Sequence, residues 1–417
     1  MSRNLKLQGS VWALVAAAAV TGGGMLPAAA ADLGGNCCAD LEERIAELEA
    51  TTARKDIRKV SLTVSGWVNE AIFFWDDGVE RNTYVGTNEL EQSRFRFTGD
   101  AKIIDDVKAG FILEIGANGT GSKSFSQDTA GTGGVKVRKS AWYVSSKTLG
   151  KITVGQFDTA TYHLLDNIDT TLTRNVSDFE STGVALGAFT TRVGGVAGAT
   201  WTDIMGGFNN GTPGQSGLRN AARYDTPEIA GFTASASWGE DDQWETSLKY
   251  KGEFGDFKYN AAAGYGESTD TVTNTGQCAA GNGNCQWWGA GALVSHAPSG
   301  LYLYGGYAEN HIDLKLGQTG DDTSNTWYVQ GGIEQKWNSL GKTNIFAEYR
   351  QDNVGISKKA DVSNLSFWAA GLAQNVEAAD TTFYAVYRHF DGDFTAKGKV
   401  SNLDALDMVI TGAKINF

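Results

Sequence analysis

Apolar and polar positions alternate through most of the chain after residue 59. In the first such segment, Val60, Leu62 and Val64 are separated by serine and threonine. A period of two is typical of a β-strand with one apolar face. Segments of about ten residues built in this way are typical of a membrane β-barrel, although a soluble β-sandwich also alternates. The pattern therefore predicts an all-β domain over residues 59–417.

The connections between these segments alternate between short and long. Residues 104–106 and 253–255 are short connections, whereas 118–134 and 267–284 are long; 240–242 is the exception, being short where a long one is due. Short periplasmic turns opposite longer outer loops are the arrangement of transmembrane barrels. We therefore predict a 16-stranded antiparallel transmembrane β-barrel with both chain ends on the periplasmic side. The predicted strands span 60–75, 92–103, 107–117, 135–147, 151–157, 218–226, 231–239, 243–252, 256–266, 285–296, 301–311, 325–337, 342–352, 363–376, 381–391 and 404–417.

The longest connection, residues 158–217, is the third outer loop in this count and is called the third loop below. Its first half carries Asp166, Asp169, Asp178 and Glu180. A loop of this length inside an ordered domain is usually functional or disordered. Sixteen strands enclose a channel wide enough for water. We predict that the third loop folds inward and narrows this channel, and that any short strand near residues 193–201 lies inside the loop.

The first 58 residues differ from the rest. Residues 1–31 have a basic start, a short apolar core and small residues before Asp32, which predicts a cleaved secretory signal, with an uncleaved anchor as the alternative. In the leader, residues 32–58, Leu41, Ile45 and Leu48 follow a heptad pattern. This favours a short periplasmic α-helix in an oligomeric, trimeric coiled coil. The alternative is a single amphipathic helix lying on the body of the protein.

Composition and charge narrow the class of protein. The formal net charge is −13, which disfavours a nucleic-acid partner because phosphate contacts require clustered lysine and arginine. The chain has 53 glycines, 12 tryptophans and only 4 prolines, which argues against disorder. No apolar run reaches the length of a membrane helix. The acidity indicates either a soluble surface or a lumen that meets cations.

The order of several motifs resembles the outer-membrane porins of alphaproteobacteria. They are the signal, the helical leader, the Ser93-Arg94-Phe95 strand followed by Gly99, the turn Arg223-Tyr224-Asp225-Thr226-Pro227 running into Gly231-Phe232, and the terminal Phe417. The resemblance covers nearly the whole mature chain. It implies a homotrimer of barrels in the bacterial outer membrane, each with its third loop in the lumen. It also implies passive diffusion of ions and small hydrophilic solutes, without a cofactor.

The strand phase predicts a basic inner wall. Its members are Arg94, Arg96, Lys108, Arg138 and Arg223. The resemblance implies that such a wall faces acids of the inserted loop, for which Asp166, Asp169, Asp178 and Glu180 are the candidates. Charges on the two sides of a narrow lumen would select solutes by charge and size. For each residue the alternative is a solvated position far from the constriction.

The four cysteines do not have the spacing of a zinc site. Cys278 and Cys285 bracket a Gly-rich spacer in an outer loop, which in an oxidising compartment predicts a disulfide. Cys37 and Cys38 precede the heptad stripe and would bridge neighbouring chains of an oligomer, with lipidation of Cys37 as the alternative. We predict no metal site and no catalytic residue.

The aromatic residues, His163 and the leader indicate which functions other than a diffusion pore the chain would fit. Aromatic residues near strand ends predict interfacial girdles on the lipid face, and ordinary core packing is the alternative. A substrate-specific channel would need aromatic residues along the lumen. His163 lies near Asp166 and Asp169, but no nucleophile motif accompanies it, so an enzyme is disfavoured. The barrel could also anchor a leader that binds cell-wall peptidoglycan, a role compatible with transport.

Overall fold

The computed structural model describes residues 60–175, 188–205, 218–239, 242–269, 284–357 and 359–417. The chain divides into two compact units, Met1–Arg58 and Lys59–Phe417. The predicted signal and leader lie outside the described residues, so both stay predictions.

The second unit contains one closed antiparallel sheet, in which sixteen strands form the barrel wall. The last strand pairs with the first from Trp67–Asn416 to Asp76–Asp407, which closes the wall. Closure leaves no open sheet edge to lipid. The predicted 16-stranded barrel is confirmed. Its strands are β1 Thr63–Asp76, β2 Arg94–Lys102, β3 Val107–Asn118, β4 Gly134–Ser146, β5 Gly150–Phe157, β6 Arg219–Asp225, β7 Phe232–Gly239, β8 Gln243–Phe254, β9 Phe257–Ser268, β10 Cys285–His296, β11 Leu301–Ile312, β12 Thr323–Gln335, β13 Thr343–Val354, β14 Val362–Val376, β15 Thr381–Ala396 and β16 Leu406–Asn416.

Two predicted loops contain further strands. Arg81–Thr87 pairs with the outer end of β1, and Lys399–Asn402 pairs with the outer end of β15. Both short strands lie within long outer connections of the barrel, so they add nothing to the sixteen predicted strands. Lys397 and Gly398 connect the second pair with φ values of 51° and 72°. Two consecutive left-handed residues make the tight hairpin turn that continues a twisted ladder.

A small hairpin lies within the third loop. Its strands, Thr190–Val193 and Val196–Thr200, form a separate two-stranded sheet and add nothing to the barrel count. This agrees with the prediction for residues 193–201. A one-turn helix, Trp201–Ile204, follows the hairpin. The 3₁₀ turns are Glu89–Glu91, Ser122–Ser124, Asp166–Ile168, Leu172–Asn175 and Glu377–Ala379. No helix in the described part of the chain is long and apolar enough to cross a membrane.

The predicted aromatic girdles are correct for only part of the set. The exposed rings that fit a girdle are Trp142, Phe232, Trp238, Phe257, Trp288, Trp337 and Trp368. Trp75, Trp287, Tyr302 and Tyr304 are instead buried inside the barrel. Trp67 also faces the lumen, where the guanidinium carbon of Arg94 lies 4.5 Å from its ring centroid. These rings occupy alternate strand positions whose side chains point into the barrel. The alternation along the strand therefore decides which face a ring lies on, whether or not the ring is near a strand end.

The barrel interior contains a hydrophobic core on one side. Phe73 and Trp75 of β1 pack on the loop residues Phe125 and Phe189, with ring centroids 5.1 and 5.2 Å apart. Trp201 packs in the same cluster as side chains of β14, β15 and β16. Burial of such aromatic rings removes large apolar areas from water and stabilises the loops inside the barrel. The lumen beside β14–β16 and β1 is consequently filled with protein.

Candidate pore constriction

Three arginines surround one glutamate on the inner faces of β2, β3 and β4, and together they are called the arginine cluster. Glu114 has a fully buried side chain. Its Oε1 lies 3.4 Å from Arg94 Nη1 and 3.0 Å from Arg138 Nε, while Arg96 binds Oε2. Charge-assisted bonds of this kind fix guanidinium groups in place. Because one carboxylate meets three cations, the arginine cluster keeps a positive charge.

A β-bulge in β4 adds a further cation to this wall. The register shifts between Glu114 and Ile115, so Arg138 is an extra residue beside Lys139, and both side chains reach inward contacts. A bulge sets two residues against one on the partner strand and re-aims a side chain. Sequence reasoning missed Lys139 because strict alternation assigns it to the lipid face.

The third loop begins at an ion pair with this wall. Asp158 Oδ2 lies 2.5 Å from Lys139 Nζ. Burial raises the pKa of Asp158, but the charge and hydrogen bond of Lys139, together with the charges of His163 and Arg223, outweigh burial, so the pKa is lowered. Asp158 is therefore held as a carboxylate, and its bond to Lys139 ties the first residue after β5 to β4.

From there the loop follows the inner wall across half of the barrel. Its backbone is bonded to inward-facing side chains of successive strands, as expected for loop N–H and C=O groups withdrawn from water. The bonds run from Ala160 N to Ser237 Oγ (2.9 Å), Thr161 N to Glu245 (2.9 Å), Tyr304 Oη to Leu165 O (2.8 Å) and Leu172 N to Glu334 (2.9 Å). Residues 158–175 of the third loop are thus folded into the lumen, as predicted.

Glycines on β9 and β10 make room for the loop. A Cβ at Gly264 would lie 2.6 Å from Leu164 Cδ2, and a Cβ at Gly291 would lie 3.1 Å from Ile168 Cδ1. Glycine is the residue that permits such a close approach. Leu164 and Ile168 can therefore pack closely against the wall because the residues opposite them have no side chain.

The far end of this segment contacts the first outer loop. Arg174 Nη2 lies 3.7 Å from Glu91 Oε1, and Lys414 Nζ of β16 lies 4.0 Å from Glu91 Oε2. These are long ion pairs with partly exposed cations. They join the third loop to the wall on the other side of the lumen.

The structure places two predicted loop acids in local bonds. The side chain of Asp166 is buried, 2.5 Å from His163 Nδ1 and 3.6 Å from Arg174 Nη1. Asp169 accepts bonds from Thr171 N (2.9 Å) and Thr173 Oγ1 (2.8 Å), and burial raises its pKa. These carboxylates shape the loop itself. Asp178 and Glu180 lie outside the described residues.

The remaining wall candidates are spread along the lumen. Arg223 donates to the carbonyl oxygens of Asp158 (3.2 Å) and Thr159 (3.0 Å), so it holds the start of the third loop. Lys108 pairs with Asp100 at 2.9 Å and is 59% exposed near a periplasmic turn. It is six residues from Glu114, which is about 20 Å along the strand. The structure therefore separates Lys108 from the arginine cluster.

The open part of the lumen lies against β2–β6. Most inward-facing side chains of β8–β15 are buried beneath the third loop and the core. Most inward-facing side chains of β2–β5 are instead partly exposed. A cavity of about 470 Å³ lies against these strands. Its lining residues are Thr98, Ile112, Lys139, Tyr143, Lys151, Thr153, Phe157, Asp158, Arg223 and Asp225. Among the described residues, the inner face of the wall is therefore most open along the basic side.

Cys285 is disulfide-bonded. Cys278 lies outside the described residues, so the predicted Cys278–Cys285 pairing stays a prediction. Within the described residues, no group of three or more His, Cys, Asp or Glu side chains is placed to hold a metal ion.

Comparison with known proteins agrees with this geometry. Residues 13–396 match the sequence model of the family described as Gram-negative porin. The chain is similar in structure to an anion-selective porin from Comamonas acidovorans, with 16% identity, a TM-score of 0.59 and coverage of 86% of this chain and 100% of that one. It is also similar to OmpF of Salmonella typhi in complex with daunomycin, with 13% identity, a TM-score of 0.53 and coverage of 86% and 98%. A trimer form of OmpT from Vibrio cholerae is also similar, with 16% identity, a TM-score of 0.52 and coverage of 86% of this chain and 99% of that one. No curated protein sequence matches the chain.

A closed transmembrane barrel with a loop folded into a charged lumen defines a membrane channel. The chain belongs to the Gram-negative porin family. It is a multi-pass outer-membrane protein that forms a porin channel.

Proposed function

We propose that this porin passes ions and small hydrophilic solutes through a constriction between the arginine cluster and the third loop. The observation that carries the proposal is the docking of residues 158–175 along the inner wall, opposite Arg94, Arg96 and Arg138. In this proposal the three arginines of the cluster line the path, and Arg223 holds the start of the third loop in place. Asp166 and Asp169 hold the loop in position, while Asp178 and Glu180 are the candidates for the acidic side of the constriction. Lys108 acts at the periplasmic mouth.

Three features of assembly complete the proposal. The protein works as a homotrimer, supported by the related fold of the trimeric OmpT. It belongs to the alphaproteobacterial branch of the family, supported by the motif order from Ser93 to Phe417. The 1–31 signal directs it to the outer membrane, where its wall contacts lipid, and a Cys278–Cys285 disulfide closes an outer loop. His163 has a structural role through its bond to Asp166, so no catalysis is assigned.

Planar-bilayer recordings of the purified protein test the channel. We expect large ohmic conductance steps grouped in threes, because each subunit of a trimer has its own lumen. Absence of conductance from correctly folded protein would remove the diffusion role, and single ungrouped steps would remove the trimer.

The leader has a separate test. We propose that residues 32–58 form a periplasmic coiled coil that contacts peptidoglycan. A chain without 32–58 should keep its conductance but lose co-sedimentation with purified cell wall. Unchanged co-sedimentation would remove the tethering role and leave transport untouched.

A further inference from the structure

We propose that the lumen prefers anions and contains a weak site for a small oxoanion in the cavity at Lys151, with Lys249 further along the same inner wall. The ligand class is a hydrated phosphate or short carboxylate. This inference rests on the proposed function and adds the sign of its selectivity, which the net charge of −13 would not suggest.

The first observation is that several lumen lysines form no direct ion pair with any of the described residues. Lys136, Lys151 and Lys249 have no carboxylate within 4.0 Å among the described residues. The Lys151 amine lies over the Tyr143 ring, 4.4 Å from its centroid. A cation that is not neutralised by a neighbour contributes its full field to the solvent path.

The second observation is that all three lysines point into the lumen. Lys136 is opposite Gly116, Lys151 is opposite Asp225, and Lys249 is opposite Ala262. Paired residues in a sheet share one face, and these partners lie on the inner one. Together with Arg96, they place cations along the inner wall from β2 to β8.

The third observation is that the two carboxylates among the described residues of this cavity are already engaged. In the 470 Å³ cavity, Asp158 pairs with Lys139 at 2.5 Å and Asp225 with Arg223 at 2.6 Å. Lys151 is the remaining cation of that cavity. The cavity therefore has a net positive charge, and it is large enough for an oxoanion that keeps part of its water.

The arrangement suits passage as well as binding. A solute must enter a site readily and leave it readily, so several weak sites in series conduct better than one tight site. Lys136, the arginine cluster, Lys151 and Lys249 are such a series.

Reversal potentials across a KCl gradient test the inference. We expect the wild-type channel to favour chloride, and Lys151→Gln with Lys249→Gln to lower the chloride-to-potassium permeability ratio by about threefold or more. The control variant, Lys315→Gln with Lys336→Gln, removes the same charge at an exposed outer loop and an exposed periplasmic turn and should leave the ratio unchanged. Lys151→Arg with Lys249→Arg should preserve chloride preference.

Block of the chloride current by an added oxoanion tests binding independently of charge selectivity. Millimolar inorganic phosphate, and acetate in a parallel arm, should reduce the wild-type current more than that of the Lys151→Gln, Lys249→Gln channel. Phosphate block without acetate block would identify phosphate as the ligand. A conducting wild-type channel that prefers potassium, or equal block in both proteins, would overturn the inference while leaving the porin function intact. Loss of all conductance in the wild type would instead count against the proposed function.

Discussion

At the residue scale, Glu114 is a buried counter-ion shared by three arginines of the pore wall. Its two oxygens bond Arg94, Arg96 and Arg138, all of which keep some exposure to the lumen. Breaking a buried charged pair is costly because the remaining charges stay unpaired. Glu114 therefore sets both the positions of the guanidinium groups and the net charge of the arginine cluster.

Glu114→Gln should increase chloride preference and lower stability together. The substitution removes one negative charge amid three positive ones, and each charge-assisted bond that weakens costs about 1.5–3 kcal/mol. Reversal potentials should shift toward anions by about twofold in permeability ratio, and unfolding in detergent should occur at lower urea. Glu253→Gln, at a rim residue 67% exposed and paired with Lys258, is the control. A shift toward cations would contradict the proposed placement.

Asp106 provides a pH-dependent link between two periplasmic turns. Bonds from the Ser146 and Thr148 hydroxyls and from Lys147 N lower the pKa of Asp106 to about 2. A carboxyl whose pKa is lowered on folding stabilises the fold above its unfolded pKa of about 3.9, and this contribution is lost as pH falls toward 2. Wild-type stability should therefore decrease over this window more than that of Asp106→Asn. Parallel stability curves for the two proteins would show that the link contributes nothing.

At the element scale, the third loop is an inserted strap whose position depends on its bonds and on the wall beneath it. Glu245 is buried and accepts both the N–H and the hydroxyl of Thr161, at 2.9 and 2.8 Å. Gly264 faces Leu164 at the next stretch of wall. The loop is therefore held by polar anchors and by close packing against backbone.

Gly264→Val should displace the loop and change the conductance. The new Cβ would meet Leu164 Cδ2 at 2.6 Å and Thr246 O at 3.0 Å, and backbone cannot yield cheaply. Overpacking of this kind costs about 1–3 kcal/mol. Single-channel recordings should show altered step size and more current noise. Gly331→Val is the matched control, because its nearest neighbour atom is 3.9 Å from the added Cβ. Identical recordings would mean that the loop repacks without moving the constriction.

The elements that the sequence predicted well are those with long, regular alternation. The period of two located all sixteen barrel strands within a few residues and placed the third loop correctly. Lys139 was missed because a bulge breaks the alternation at a single residue, and Glu114 was not among the predicted site residues. The inner positions of Trp75 and Trp287 were missed because an aromatic ring near a strand end suits either face.

Contacts of the inserted loop were beyond sequence reasoning for a physical reason. Asp166 and Asp169 were predicted from charge and loop position, and they do lie on the segment that enters the lumen. Their burial depends on His163, Arg174 and Thr173 meeting them after the loop has folded against the wall. Charge in a sequence indicates a polar environment and does not say whether a side chain faces the solvent path or its own loop.

At the scale of the whole molecule, the barrel wall is closed by one seam and its interior is divided. Gly66 and Phe417 exchange backbone bonds of 2.9 and 3.0 Å at the end of the seam between β1 and β16. Inside, hydrophobic residues fill the side next to β14–β16 and β1, while the cavity and the arginine cluster occupy the side next to β2–β6. The residues that pack the interior and the residues that line the cavity thus lie on different sides of the barrel.

This division has a consequence for how the protein tolerates mutation. Inner positions of β10–β15 should behave like the core of a soluble protein, where changes in volume or charge impair folding. Inner positions of β2–β5 should behave like a surface, where most changes are neutral for folding and alter only which solutes pass. Substitutions at the inner positions of β2–β5 should therefore change which solutes pass while the packed interior beside β10–β15 keeps the barrel folded.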